Sequence, residues 1–176
     1  MTTAKDPATP GKQLASSPAR QLASFPARQL ASFIDKFTPE MAALTRAVLT
    51  IMRKRYPTAL ELVHDNYNAL AIGFSPTERA SEAIFSIAVF PRWISLFFLQ
   101  AQKASTPLPD PEKRLQGTGN VVKHIRLASA KTLDEPAIRA LMDEAEARAA
   151  VPLDPKGKHR LIIKSISAKQ RPRRPA

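Results

Sequence analysis

The sequence predicts an α+β domain: a helix, an antiparallel sheet of about five strands, and a closing helix. Two observations carry this. Apolar residues recur at helical spacing over Met41–Met52 and Ile138–Ala149, and at period two in the runs between them. Those runs follow one another with no intervening helix, so the βαβ alternation of a parallel sheet is missing.

Residues 1–12 are rich in Thr, Pro and Lys and are expected to be disordered. An eight-residue repeat follows: QLASSPAR (Gln13–Arg20), QLASFPAR (Gln21–Arg28) and QLASFIDK (Gln29–Lys36). Its period is neither a heptad nor that of a solenoid. Pro18 and Pro26 should break any continuous helix, so residues 1–32 read as a linker lengthened by duplication. Only the third copy lacks its proline. It is expected to join the domain, which spans 33–153, by docking Phe33 and Phe37. Thr38-Pro39-Glu40 then starts a helix, with Thr as cap, Pro at the first helical position and an acid in the first turn. Met41, Leu44, Val48, Ile51 and Met52 form its core face. Arg53, Lys54 and Arg55 suit the negative end of its dipole, and Tyr56-Pro57 stops it.

Strands are expected at Glu61–Asp65, Ala69–Phe74, Ala83–Phe90, Arg92–Leu99 and Val121–Leu127. Leu70, Ile72 and Phe74 share one face, as do Phe85, Ile87 and Val89, and Ile94, Leu96 and Phe98. Trp93 and Phe97 point the opposite way and are expected to lie under the last helix. Pro91 permits only a tight turn or an edge position. In the fifth strand Val121, Ile125 and Leu127 face one side, and Val122, His124 and Arg126 the other. Thr132–Glu135 resembles a capping box ahead of the last helix, whose stripe is Ile138, Leu141, Met142, Ala145 and Ala149. Pro152 and Pro155 end it. Residues 154–176 read as a basic tail in which Arg160–Ser167 forms a short edge strand or stays mobile. AKQRPRRPA at its end is expected to be disordered.

Charge is uneven. The net value is +12, but residues 38–155 carry 14 basic and 13 acidic groups, whereas 156–176 carry eight basic and none acidic. A nearly neutral body with a cationic end is expected, and such ends contact polyanions or simply solvate the chain. The absence of cysteine excludes disulfides, thiol nucleophiles and Cys-based metal sites. No apolar leader stands at the N-terminus, and the longest apolar run, near Ile94–Leu99, is too short to span a bilayer. A soluble, cytoplasmic protein is expected.

Several constellations invite a chemical reading. Gly117-Thr118-Gly119 can approach an anion through its amides, though it lacks a P-loop ending and leads into a strand; a structural turn is the simpler reading. Lys123, His124 and Arg126 make a cationic strand that suits an anion. His64-Asp65 offers two metal ligands with no local third, and Asx-rich turns have the same composition. Asp143, Glu144 and Glu146 on the last helix read as a solvated face, given Arg139 and Arg148 nearby. No nucleophile elbow, HExxH or dinucleotide fingerprint is present.

The order of residues from Phe97-Phe98 through the LPDP loop (Leu108–Pro111), Leu115, Gly117–Gly119 and Lys123-His124-Ile125 resembles the signature of the YdhG-like family, bacterial domains of uncharacterised role. The resemblance covers roughly 36–150 and extends to LVHDNYNALAIGFSPTERASEAIFSIAVFPRW. It implies a secretion-chaperone-like α+β fold with a curled antiparallel sheet. Some members are described as frataxin-like intracellular iron chaperones, a role resting on acidic surface that this near-neutral body lacks. Asn120 stands where a Lys is common, and Gln100 or Ala101 where a glycine is usual.

The sequence thus points to a small non-enzymatic binding module. Its expected partner is an anionic small molecule or protein, held at the 108–126 loop and strand by Gly117, Gly119, Lys123, His124 and Arg126. Two alternatives stand beside it. One is an iron chaperone, from the resemblance alone, with no metal ligand set or other cofactor indicated by the residues. The other is nucleic-acid contact through Lys169, Arg171, Arg173 and Arg174 in the tail.

Overall fold

A computed structural model describes residues 18–100, 106–119 and 121–175. Two helices, α1 (Pro18–Ile34) and α2 (Pro39–Arg55), precede strands β1 (Leu60–Asp65), β2 (Leu70–Ser75), β3 (Phe85–Val89), β4 (Ile94–Phe98) and β5 (Lys123–Leu127). Helix α3 (Pro136–Ala147) follows, and β6 (Leu161–Ile166) ends the series. The six strands form one open sheet in the order β5-β4-β3-β2-β1-β6. β1 to β5 are an antiparallel meander.

Against the purely antiparallel expectation, the sheet is mixed. β6 lies parallel to β1, with a register shift between Val63 and His64. A strand arriving from α3 at the far edge can take either direction, and local period two does not specify which. The α+β class holds; the closing element is a strand rather than a helix.

The faces follow from register. Val63, Ile72, Ile87, Leu96 and Ile125 form one cross-strand row, and Phe74, Phe85 and Phe98 the next. Both rows are buried in a single cluster with Leu30, Phe33 and Ile34 of α1, Val48, Leu49 and Met52 of α2, and Ile138, Leu141 and Met142 of α3. All three helices therefore pack on this inner face. Along β2 to β4 the outer face carries Ala71, Gly73, Ser86, Ala88 and Ser95, small groups that offer a helix little area, and Phe97. The last helix does not cover Trp93 and Phe97, contrary to expectation.

Thr38 caps α2 as expected, its hydroxyl accepting from the Met41 amide at 3.3 Å. Helix α1 departs from expectation by running through Pro26 to Pro18. Its second half is fixed by the burial of Leu30, Phe33 and Ile34. Gln, Ala, Leu and Arg continue it backwards with good propensity, and a first-turn proline is tolerated at Pro18. Residues 1–17, with the Thr- and Pro-rich start and most of the first repeat copy, lie outside the described residues. The capping pair before α3 is Ser129 with Thr132, closing a short 3-10 turn at Ala130–Asp134, so the acids of Thr132–Glu135 do not form it.

The LPDP loop is anchored. Leu108 is buried, and the Asp110 carboxylate accepts from the amides of Arg114 at 2.8 Å and Leu115 at 2.7 Å. Gln100 is buried and donates to the carbonyls of Glu82 and Ala83 while accepting from the Ala150 amide.

Tyr56 packs on Phe85 at 5.1 Å, yet its buried hydroxyl has no hydrogen-bond partner among the described residues. Burial, then the nearby Glu146 charge, drives that hydroxyl's pKa well above its ordinary value. Tyr56→Phe removes an unsatisfied group at no loss of ring packing. It is expected to leave stability unchanged or raise it by about 1 kcal/mol in urea unfolding. A loss of that size would show that the hydroxyl is bonded.

Candidate anion-binding site

The site grows from the β3–β4 hairpin and the C-terminal segment. Phe90 donates its amide to the Trp93 carbonyl at 2.9 Å, so Pro91 and Arg92 form the tight turn that the proline demanded. The turn leaves Arg92 exposed at the tip. It also stacks the Phe90 and Trp93 rings, with centroids 4.8 Å apart and planes 20° from parallel. Arg126 on β5 lays its guanidinium over Trp93 at 5.2 Å. Two residues back on the same strand face, His124 stacks on Phe97 at 5.0 Å. Side chains i and i+2 of a strand share a face, so two planar cationic or polar groups are held against two aromatic rings on the outer side of the sheet.

The C-terminal segment reaches this hairpin because it is bound along the end of β1, and this is the largest departure from the sequence reading. The expected disordered tail is packed. Ser167 donates to the Asp65 carbonyl at 2.8 Å and Arg171 to the Tyr67 carbonyl at 3.0 Å through their amides. Arg173 is 4% exposed and meets the Asp65 carboxylate at 2.9 Å. Its guanidinium also donates to the Asn66 carbonyl and lies 5.6 Å over the Phe37 ring. Lys36 holds the other Asp65 oxygen at 2.7 Å. Burial alone would push the Asp65 carboxyl up. The bonds from Lys36, Gln170 and Arg173 outweigh it and hold the group below the ordinary carboxylate range. Arg174 donates to the carbonyls of Phe37 at 3.1 Å and Asp35 at 3.2 Å.

Between hairpin and segment lies a cleft of about 520 Å³, within the size range of small-molecule sites. Asn68, Phe90, Arg92, Trp93, Arg171 and Arg174 line it, with Pro91, Pro172 and Pro175. No carboxylate is among the described lining residues. Arg92 and Arg171 have no ion-pair partner among the described residues, so their charge is uncompensated within the cleft. Guanidinium forks beside an apolar, aromatic wall suit an anion attached to a planar or apolar body.

The residues singled out from sequence divide. His124 and Arg126 lie on the outer face as expected. Lys123 does not join them, because it belongs to the inner-face row with Phe98 and Phe85 and donates to the Gly117 carbonyl at 2.7 Å. The strand begins at Lys123, not Val121, and both Val121 and Val122 are exposed. Gly117 has φ +111°, a conformation that favours glycine, and a Cβ there would stand 3.4 Å from His124 Nδ1. Its turn backs the His124 ring, and Gln116 pairs with His124. Gly119 is exposed in the same turn. In the tail, Lys169 and Arg171 are exposed and Arg174 lines the cleft, whereas Arg173 is buried and committed to Asp65.

Adjacent strand residues point to opposite faces, which separates His64 from Asp65 as ligands. His64 faces outward and shares a hydrogen bond with Ser165 at 2.9 Å. Burial, then Lys164, holds its pKa below the ordinary value. Among the described residues no group of three or more metal-ligating side chains is assembled. Glu144 pairs with Arg148 on α3, and burial, then Asp143, raises the Glu146 carboxyl.

The sequence reading missed Arg92 and the cleft. Arg92 had a usable signal: a charged residue at the tip of a proline turn next to the chain's single tryptophan. The segment's return to the hairpin had none. No family model matches the chain, and no curated protein or solved structure matches it. No helix among the described residues is long and apolar enough to cross a membrane.

Proposed function

We propose that this protein is a small binding module for a phosphate-bearing organic anion, held in the cleft between the Phe90–Trp93 hairpin and the C-terminal segment. The observation that carries this reading is a nucleotide-sized cleft with three arginines, an aromatic wall and no acid among its described lining residues. Arg92 and Arg171 supply the charge. Arg174, already bonded to two carbonyls, is held in a fixed position and presents its remaining edge. The prolines and the part of Trp93 left exposed beside Phe90 and Arg126 receive the ligand's non-ionic body. The cationic β5 face with His124 and Arg126 adjoins the cleft through Trp93, so the strand anticipated from sequence becomes its margin. We also propose, on the LPDP, GTG and KHI order alone, that the domain is of the YdhG-like kind.

Trp93 is the only tryptophan, so its emission reports on the cleft directly. Titration with AMP and ATP is expected to change that emission saturably, with ATP tighter than AMP. The double variant Arg92→Gln/Arg171→Gln is expected to weaken binding at least about tenfold, a loss of about 1.4 kcal/mol. The absence of any saturable change at millimolar nucleotide would overturn the reading.

A further inference from the structure

We infer that the ligand is single-stranded nucleic acid, entering the cleft and running on across the β4–β5 margin; this rests on the cleft being an anion site. The first support is continuity. Trp93 lines the cleft and also carries Arg126 over its ring, so this one side chain joins the cleft to the cations of the outer face. His124 follows Arg126 along the strand at the two-residue repeat, about 7 Å, comparable to successive phosphates in an extended strand.

The second support is the state of those side chains. Arg126 is exposed, has no ion-pair partner among the described residues, and lies over an indole at 5.2 Å. A guanidinium fixed in this way keeps its N–H edge for a phosphate and loses little rotamer freedom on binding. His124 is likewise fixed between Phe97 and the Gly117 turn. A single mononucleotide in the cleft leaves these groups unused, whereas a chain of phosphates engages them in order.

The third support is shape. A stiff duplex does not enter a cleft of this size. A single strand does. Because the Trp93 and Phe97 faces are already stacked on side chains, base stacking contributes little. Recognition falls on the backbone, so weak sequence preference and strong salt dependence follow.

The test uses the full chain and fluorescently labelled oligothymidylates, read by anisotropy, beside the nucleotide titration above. Affinity is expected to rise more than tenfold from the dinucleotide to the octanucleotide and to fall steeply with salt. Arg126→Gln is expected to weaken octanucleotide binding about tenfold and AMP binding far less. Arg126→Lys keeps the charge without the planar fork and is expected to fall between. Unchanged circular dichroism shows that each variant is folded. If AMP binds but affinity does not grow with length, or Arg126→Gln leaves the octanucleotide unaffected, the track is wrong while the cleft stands. If neither AMP nor oligonucleotide binds, the cleft reading itself fails. Equal binding of a matched duplex, or equal competition by inorganic polyphosphate, would also overturn single-stranded nucleic acid as the ligand.

Discussion

Asp65→Ala is expected to destabilise the protein by about 3–5 kcal/mol, because it removes one partner of a buried ion pair and leaves the other behind. The Asp65 side chain is 1% exposed and the Arg173 side chain 3%. The Arg173 Nε is already without a partner among the described residues, so losing the carboxylate leaves a buried guanidinium with only the Asn66 and Tyr67 carbonyls and no counter-charge. The protein has one escape. Swinging the C-terminal segment out rehydrates the charge at the cost of its contacts with Asp35, Phe37 and Tyr67. The observed loss is therefore capped by the cost of detaching that segment. Arg173→Met should be milder, since Asp65 keeps Lys36 at 2.7 Å. Urea unfolding gives the energies, and limited trypsin digestion reads the detachment as early cleavage after Lys169, the Arg171–Pro172 bond being resistant. A loss below about 1 kcal/mol with unchanged digestion would show that the pair contributes nothing net, as is common for pairs that solvent reaches. Because the segment forms one wall of the cleft, Asp65→Ala should also weaken nucleotide binding without touching the ligand.

The same pair shows what a sequence can and cannot disclose. β2, β3 and β4 were legible because each alternates large apolar residues with small ones, a pattern that needs no partner to be read. That alternation also held the answer to which face the helices take. Ser86, Ala88 and Ser95 oppose Phe85, Ile87 and Leu96 along the same strands, and a helix packs where the larger side chains are. Trp93 and Phe97 drew attention away from it, being large residues on the poorer face. Helix α1 was missed because the cost of Pro26 is local and visible; the docking of Phe33 was anticipated, but the burial of Leu30 and Ile34 beside it, which fixes the helix, was not. Asp65 and Arg173 are 108 residues apart. Charge complementarity over that separation leaves no periodicity, so a basic tail looks the same in sequence whether it is solvated or docked. The candidate site divides likewise: His124 and Arg126 were readable from strand alternation, and the cleft, made by two distant segments meeting, was not.

At about pH 3 the C-terminal segment is expected to leave the body while the sheet from β2 to β5 remains folded. Two inward-facing carboxylates of β1 hold that segment. Glu61, fully buried, accepts Arg53 at 2.6 and 2.8 Å and meets His159 at 2.7 Å. Asp65 holds Arg173 and, through its backbone carbonyl, Gln170. β6 pairs with β1 between these two points. For Glu61, as for Asp65, burial raises the carboxyl pKa and the opposing bonds, here from Arg53 and His159, lower it further than burial raises it. Both groups therefore titrate lower folded than unfolded. Their stabilisation is complete above the ordinary carboxylate value near about 4 and disappears as pH falls through the lower folded value. Protonation then leaves Lys36, Arg53 and Arg173 without counter-charges. β6 has little else to hold it, since Leu161, Ile162 and Ile163 are only half-buried, whereas Ile72, Ile87 and Leu96 are wholly buried. Hydrogen exchange across the acid range reads the two steps apart. Amides of Leu161–Ile166 should lose protection first, together with a red shift of Trp93 emission as the cleft opens. Glu61→Gln/Asp65→Asn should show the same loss already at neutral pH and little further dependence on acid. Simultaneous loss of protection in β3, β4 and β6 would mean that the segment is part of one cooperative unit and that the two carboxylates do not control it separately.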